Sequence, residues 1–403
     1  MRNLLLFVVV LALAFCPKSN AAESSDPVVS TGFGENSMTG TPVFQVIGDY
    51  LYAPGADGIK CIAKGDGAQW TQFAMQGYNV TDFKLSDDEI MATIIPEQYW
   101  DSRDKNLSAV SRLVRGKITD LKFTDATPSG IGYTYEGNTL TYLSTIAQHP
   151  FQNNRIMITG TYGIYESNDF GKTWEKKSDD YFNIEPHMFF GWHPYDPEIF
   201  LCVGYSPMEN ATVYSSSDNG ATWDSALPSP NEETNAYDIG FDPDDNDHLL
   251  LSGIDAIYES NDCGATWHNI LIADERQILG KGYTLLYNED ETDDLVYYAL
   301  GQSNDSKLNV IASIDKGKTW QLLFSYDDGG KFYDAALFDG KLWIYDSKDI
   351  VYVKLADISG VNTIGMEGHD SDSRTYDLQG KEVKNTLPGN IYIKKGHKYM
   401  EGL

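Results

Sequence analysis

Arginine is nearly missing from this chain. Beyond Arg2 it occurs only at Arg103, Arg112, Arg115, Arg155, Arg276 and Arg374, and Lys plus Arg number 30 against 59 Asp plus Glu, for a formal net charge of −29. So acidic a surface repels phosphate backbones and anionic headgroups, which argues against nucleic acid or an acidic membrane as partner. Cysteine is also rare. Apart from Cys16 in the leader there are only Cys61, Cys202 and Cys263, an odd number that supports no disulfide framework, so they are read as buried strand or turn residues. Long apolar runs are confined to one place. Leu4 to Phe15 is almost wholly apolar, Arg2 precedes it, and Ser19-Asn20-Ala21 offers the small residues of a signal-peptidase site, so residues 1–21 read as a secretory signal peptide. The bulky Phe15 before Cys16 argues against a lipoprotein leader. No later stretch approaches the roughly 20 apolar residues of a membrane helix. The expectation is a soluble mature chain without a transmembrane segment, secreted, periplasmic or at the cell surface. Common catalytic signatures are missing too: there is no Gly-rich phosphate loop, Ser nucleophile elbow or His-Glu-x-x-His. No cofactor is expected.

What is abundant is the aromatic and β-branched material of strands. The hydrophobic share is 41%, with 26 Tyr and 8 Trp, which excludes a disordered chain. A length of 403 residues would ordinarily imply two or three domains, unless one large closed fold absorbs it. The deciding feature is a phrase written four times: SNDFGKTW (167–174), SSDNGATW (216–223), SNDCGATW (260–267) and SIDKGKTW (313–320). Its aspartates, Asp169, Asp218, Asp262 and Asp315, are spaced by 49, 44 and 53 residues. Such periods mark units too small to bury their own apolar face. Each phrase follows two alternating segments joined by a turn, and a Pro-, Asp- and Asn-rich turn lies further upstream (HPFQNN, HPYDPE, DPDDND, NEDETDD). The unit therefore reads strand, polar turn, strand, loop, strand, phrase, strand, which is one propeller blade.

The phrase makes sense as a turn. Ser and Asp can accept backbone N–H groups, Gly supplies a positive φ, and Trp174, Trp223, Trp267 and Trp320 leave the turn to enter the apolar layer. At this point the chain resembles the Asp-box proteins, since all four copies match S-x-D-x-G-x-T-W at every fixed position. The resemblance implies a box between the third and fourth strands of each blade, away from the ligand face, with a structural role. Decayed copies extend the ring. Ala63 to Trp70 keeps Gly67 and Trp70, Ser111–Lys117 is expected to hold the third-to-fourth turn of a blade without a box, and residues 335–358 read as a short final blade. The fold expected is all-β: a single β-propeller of about seven four-stranded blades over 38–358, after an N-terminal linker at 22–37. Residues 359–373 read as a Gly-rich linker and 374–403 as a small C-terminal β segment. That tail resembles the C-terminal segments of secreted Bacteroidetes proteins, through Tyr376-Asp-Leu-Gln-Gly380 and Leu387-Pro-Gly-Asn-Ile-Tyr-Ile393. The likeness implies sorting or anchoring.

Among Asp-box propellers the best-known enzyme is the sialidase, which that likeness would equip with three arginines and an Arg-Ile-Pro motif. Here the nearest string is Arg155-Ile156-Met157 in a middle blade, so sialidase activity is not expected. Xyloglucan-cleaving relatives place aspartates between two tandem propellers, and only one ring fits here. A glycosidase needs two carboxylates about 5 to 9.5 Å apart, which 59 acids supply by chance without sequence selecting a pair. Asp242-Pro-Asp244-Asp-Asn246-Asp247 looks superficially like a calcium loop but lacks its Gly and its closing Glu, and it sits where neighbouring blades carry ordinary turns, so no metal is expected. His149 and His193, each before Pro, mark that same turn.

Propeller ligands gather where second-to-third-strand loops and blade-to-blade connections converge. The largest insertion there runs from Ile95 to Lys105 and carries Tyr99, Trp100, Asp101 and Arg103, an aromatic face beside both charge signs. Blade connections add Glu185, His187, Glu233, Tyr237, Arg276 and Tyr283. This pattern suits sugar binding, ring to C–H face and polar groups to hydroxyls. The alternative is that Tyr99 and Trp100 merely cap the channel. The leading expectation is a secreted, monomeric, non-catalytic propeller that binds a glycan or glycoprotein. The alternatives are a glycoside hydrolase or lyase with an unrecognised carboxylate pair, or a scaffold for a cell-envelope protein like the sortilin-type propellers and photosystem assembly factors.

Overall fold

The computed structural model describes residues 28–34, 41–96, 110–135, 138–141, 143, 145–160, 162–179, 188–205, 211–226, 236–253, 256–270, 281–288, 296–302, 307–313, 316–327, 330–355, 375–376, 382–383, 391–394 and 397–400. They form seven four-stranded antiparallel sheets in a ring, an all-β propeller. In chain order the blades cover 45–74, 79–125, 147–178, 190–226, 236–269, 281–326 and 332–354. Strands in blades 1 to 6 pair in simple order, innermost strand A to outermost strand D. Blade 7 takes only three strands from its own stretch. Its fourth is Val29–Ser30, from the stretch read as a linker, paired antiparallel with Ile350–Lys354. The ring is thus closed by the two ends of the propeller sequence, and Thr31 N–H adds a bond to the Ile350 carbonyl at 3.1 Å. This explains why 335–358 looked like a short blade.

The core lies between blades, as the alternating pattern requires: one face of each sheet packs on the next sheet. One cluster joins Met157 and Ile164 of blade 3, Phe200 and Val213 of blade 4, and Leu251 and Tyr258 of blade 5. Another joins Leu300 and Val310 of blade 6 to Leu342 and Val353 of blade 7. Fully burying a side chain of this size contributes about 1.5–3 kcal/mol each, so closing the ring outweighs any single turn.

The boxes sit between strands C and D and fasten them. In blade 4, Ser216 Oγ accepts the Gly220 N–H (2.8 Å) and donates to Asp218 Oδ1 (2.8 Å), while Asp218 accepts the Thr222 N–H (2.8 Å) and hydroxyl (2.6 Å). Blades 3 and 5 repeat the pattern through Asp169 and Asp262. Asp315 lies outside the described residues, but Ser313 Oγ still accepts the Gly317 N–H at 2.8 Å. Gly220 and Gly264 have φ near +80°, and their tryptophans return N–H bonds to their carbonyls.

One boundary differs from expectation. Arg112–Lys117 is strand C of blade 2, so Ser111–Lys117 is not the third-to-fourth turn; that turn follows, ahead of Thr124–Asp125. Leu113 and Val114 are adjacent and so point to opposite faces of that strand, where one joins the core shared with blade 3 and the other the core shared with blade 1. A hairpin of Tyr133–Tyr135 and Asn138–Leu140 stands in the connection from blade 2 to blade 3. The tail forms a separate four-stranded sheet from 375–376, 382–383, 391–394 and 397–400.

Candidate functional site

Antiparallel order places the A–B and C–D turns on one face and the B–C and blade-to-blade connections on the other. Strand ends fix where the repeat is most interrupted. The B–C connection of blade 2 runs from Ile95, the end of strand B, to Arg112, the start of strand C. In blades 1 and 3 the same connection is a tight turn, Gly55 to Gly58 and Gly160 to Gly163. The turns are tight because glycine permits them: Gly163 has φ +111° and a Cβ there would stand 2.3 Å from the Ser178 carbonyl.

Tyr99, Trp100, Asp101 and Arg103 belong to that long connection and lie outside the described residues, as do Glu185, His187, Glu233 and Arg276. Tyr283 is placed in the strand Lys281–Asn288, at the bulge between Gly282 and Thr284. Tyr237 occupies the matching bulge of blade 5 and is 5% exposed, packed in the inter-blade core. It offers almost no surface to a ligand.

Those bulges expose a feature that the box repeat did not. Strand A carries the same irregularity in blades 2, 5, 6 and 7, and in three of them the residue after the bulged one is aspartate: Asp82, Asp238 and Asp334. Each carboxylate staples its blade to the next. Asp82 Oδ2 accepts the Ile146 N–H (2.8 Å), Asp238 Oδ2 that of Leu285 (3.0 Å) and Asp334 Oδ2 that of Phe44 (2.7 Å) across the closure. Asp82 and Asp238 also accept the N–H of the residue that follows, Phe83 and Ile239.

The three come from blades 2, 5 and 7, yet Asp238 and Asp82 both push the Asp334 carboxyl upwards. Charges on blades so far apart around the ring meet only across its axis, so the staples line the central channel. Desolvation, the largest cause, raises Asp334 to about 8 and Asp238 to about 7, against the opposing pull of their backbone donors. Both residues keep partial exposure to solvent. Asp82 differs in having a cation, with Lys84 Nζ at 3.1 Å and Gln45 Nε2 at 3.2 Å from Oδ1. The signal in sequence was faint, since only Tyr-Asp in blades 5 and 7 and Thr-Asp in blade 2 repeat, without flanking glycine.

On the turn face, acids and bases are paired within and between blades. Arg155 Nε bonds Glu166 Oε1 at 2.6 Å and its Nη2 bonds Asn219 of the next blade's box at 2.8 Å. Arg115 bonds Glu89, which Lys172 of the following box also approaches. Burial lowers His149 and His193, the main cause in each, and both imidazoles accept backbone N–H groups of their own turns. The segment 242–247 is an A–B turn, and no group of three or more His, Cys, Asp or Glu able to hold a metal ion occurs among the described residues. No helix among them is long and apolar enough to cross a membrane.

Fold and boxes together define the class: an Asp-box β-propeller of seven blades. The family model described as sortilin, neurotensin receptor 3, matches residues 211–363, from strand C of blade 4 past the end of blade 7. Solved structures share the fold. They include YCF48 bound to a D1 peptide (TM-score 0.53, 15% identity, 83% of this chain and 97% of that one). YCF48 from Cyanidioschyzon merolae has a TM-score of 0.50 at 12% identity, covering 81% of this chain and 98% of that one. A catalytically inactive virginiamycin B lyase from Staphylococcus aureus with quinupristin has a TM-score of 0.52 at 13% identity, again covering 81% and 98%. At such identities the likeness concerns the fold alone. A search of curated proteins finds no match.

Proposed function

We propose that the protein is a secreted or cell-envelope binding propeller that takes a glycan or glycoprotein on its loop face without catalysis. The observation that supports this most is a division of labour. Asp82, Asp238, Asp334, Glu166 and Asp242 are engaged in holding blades and turns together. Departures from the repeat, by contrast, fall on the face away from the Glu166 and Asp242 turns: the long B–C connection of blade 2 and the hairpin before blade 3. In this reading Tyr99 and Trp100 stack on a sugar ring while Asp101 and Arg103 bind hydroxyls. Titration calorimetry against plant and host glycans tests it. Binding abolished by Trp100→Ala supports it, and no heat with any glycan or glycoprotein ends it.

A polypeptide partner is the second reading, favoured by the sortilin-type match over 211–363 and by the likeness to a propeller solved with a peptide. Capture of a defined envelope protein that survives enzymatic deglycosylation, and depends on the same loop, would select it. Release of reducing sugar from a polysaccharide would instead restore the hydrolase alternative.

A further inference from the structure

Blade 5 breaks the rule by which blade 3 fastens itself. In blade 3 the residue before the strand position paired to the box serine is Arg155, a permanent cation on Glu166. In blade 5 the corresponding residue is His248, since Leu249 pairs with Ser260 as Ile156 pairs with Ser167, and Glu259 stands where Glu166 stood. His248 is 3% exposed and has a carboxylate on each ring nitrogen: Asp242 Oδ2 on Nδ1 at 3.0 Å and Glu259 Oε1 on Nε2 at 3.0 Å. A neutral imidazole has one N–H and one lone pair, so it can satisfy only one of them; the imidazolium satisfies both.

We propose that His248 is a proton-dependent latch joining blade 5 to blade 6. The groups facing it come from every neighbouring element. On one side Asp242 also accepts the Tyr297 hydroxyl of blade 6 (2.6 Å) and is approached by Lys316 of the blade 6 box (3.4 Å), and the Tyr297 ring stacks on the imidazole. On the other, Glu259 Oε2 meets the exposed His268 Nε2 at 2.8 Å. Burial pushes Asp242 up, but Tyr297, the Asp244 N–H, Lys316 and His248 together hold its carboxyl below the usual range, so it stays an anion. When His248 loses its proton, one carboxylate faces a lone pair. The anion that receives Tyr297 and Lys316 then loses its inner partner or its geometry. Acid closes the junction and base loosens it.

The test uses the unaltered protein first. Side-chain nitrogen NMR at pH 6 should show both His248 ring nitrogens protonated. As the ring titrates, exchange protection of the Asp244 amide, which donates to Asp242 Oδ1, should fall about tenfold per pH unit beyond the intrinsic pH dependence. His248→Arg, which installs the blade 3 solution, should hold that protection constant from about pH 6 to 9. A single protonated ring nitrogen at pH 6, or Asp244 protection that ignores the titration, overturns the latch. So does a His248→Arg protein that keeps the parent's pH profile.

Discussion

Two channel aspartates should make this propeller less stable as pH rises through neutrality. In the unfolded chain Asp238 and Asp334 ionise near their ordinary value of 3.8; in the fold they do so at about 7 and about 8. The folded state therefore binds more protons than the unfolded state between those limits. Their contribution is fully present below pH 3.8 and is lost as pH climbs through 7 and 8. Each group costs about 1.4 kcal/mol per pH unit inside the window. From pH 5 to pH 7 that amounts to roughly 4–5 kcal/mol for the pair. Solvent reaching the channel screens part of it, so about 2–3 kcal/mol is the expected loss. At roughly 2.1 cal/mol/K per residue, a ring of this size converts 1 kcal/mol into about 1.5 °C, so Tm should fall by about 3–5 °C. His149 and His193, lowered by burial, tilt stability the other way below about pH 6.5. The assay is therefore a difference: calorimetric Tm from pH 5 to 8.5 for the parent and for Asp238→Asn/Asp334→Asn. The amide keeps an acceptor for Leu285 and Phe44 but cannot ionise, so the parent's extra slope should vanish even if the variant is less stable throughout. A variant with the parent's slope would refute the raised ionisation of these two carboxyls.

Other perturbations follow from single contacts. Asp218→Ala removes the acceptor of the Thr222 N–H and hydroxyl, and should cost about 1–2 kcal/mol, read as a Tm loss of about 2–3 °C. The same carboxyl is held down to about 2, chiefly by the Thr222 hydroxyl, so its contribution should disappear only as pH falls from about 4 to 2 in an acid-unfolding titration. Gly163→Ala forces a Cβ against the Ser178 carbonyl at φ +111° and should cost about 3 kcal/mol or more in denaturant unfolding. Cutting the chain before Phe33 removes Val29–Ser30 from Ile350–Lys354, and should expose that edge to proteolysis and self-association, seen by limited digestion and light scattering.

How much of this was legible follows from what repeats. The boxes announced the blades because Ser, Asp, Gly and Trp are the residue types that one tight turn with a positive-φ position demands, so four turns of one geometry carry one spelling. The N-terminal strand was not legible, since Val29–Ser30 is two residues long and its pairing depends on an edge more than 300 residues away. The turn expected at Ser111–Lys117 failed for a related reason: with the box lost, only spacing remained, and spacing drifts with loop length. The channel staples escaped because an aspartate that accepts one N–H from each of two blades needs no local partner. Only the ring brings Phe44 to Asp334.

The variable places of the box then take on meaning. Its fourth residue has positive φ in every copy, at Phe170 (56°), Asn219 (57°), Cys263 (54°) and Lys316 (59°), a backbone state that costs a non-glycine residue on the order of 1 kcal/mol. Glycine would relieve that strain, so each side chain must return more than it costs, and each is matched to its surroundings. Phe170 is buried in a cluster with Met91 of blade 2; Asn219 accepts from Arg155 of blade 3; Lys316 reaches Asp242 of blade 5. Cys263 turns instead to Asp247 of its own blade, and its thiol is pushed up to about 12 by burial first and then by that carboxylate. The fixed letters of the phrase build a turn that any blade can use, whereas in three copies the fourth letter suits one neighbour only. A ring of repeated blades needs such a distinction, because a blade that fitted every neighbour equally would leave ring order to the connections alone.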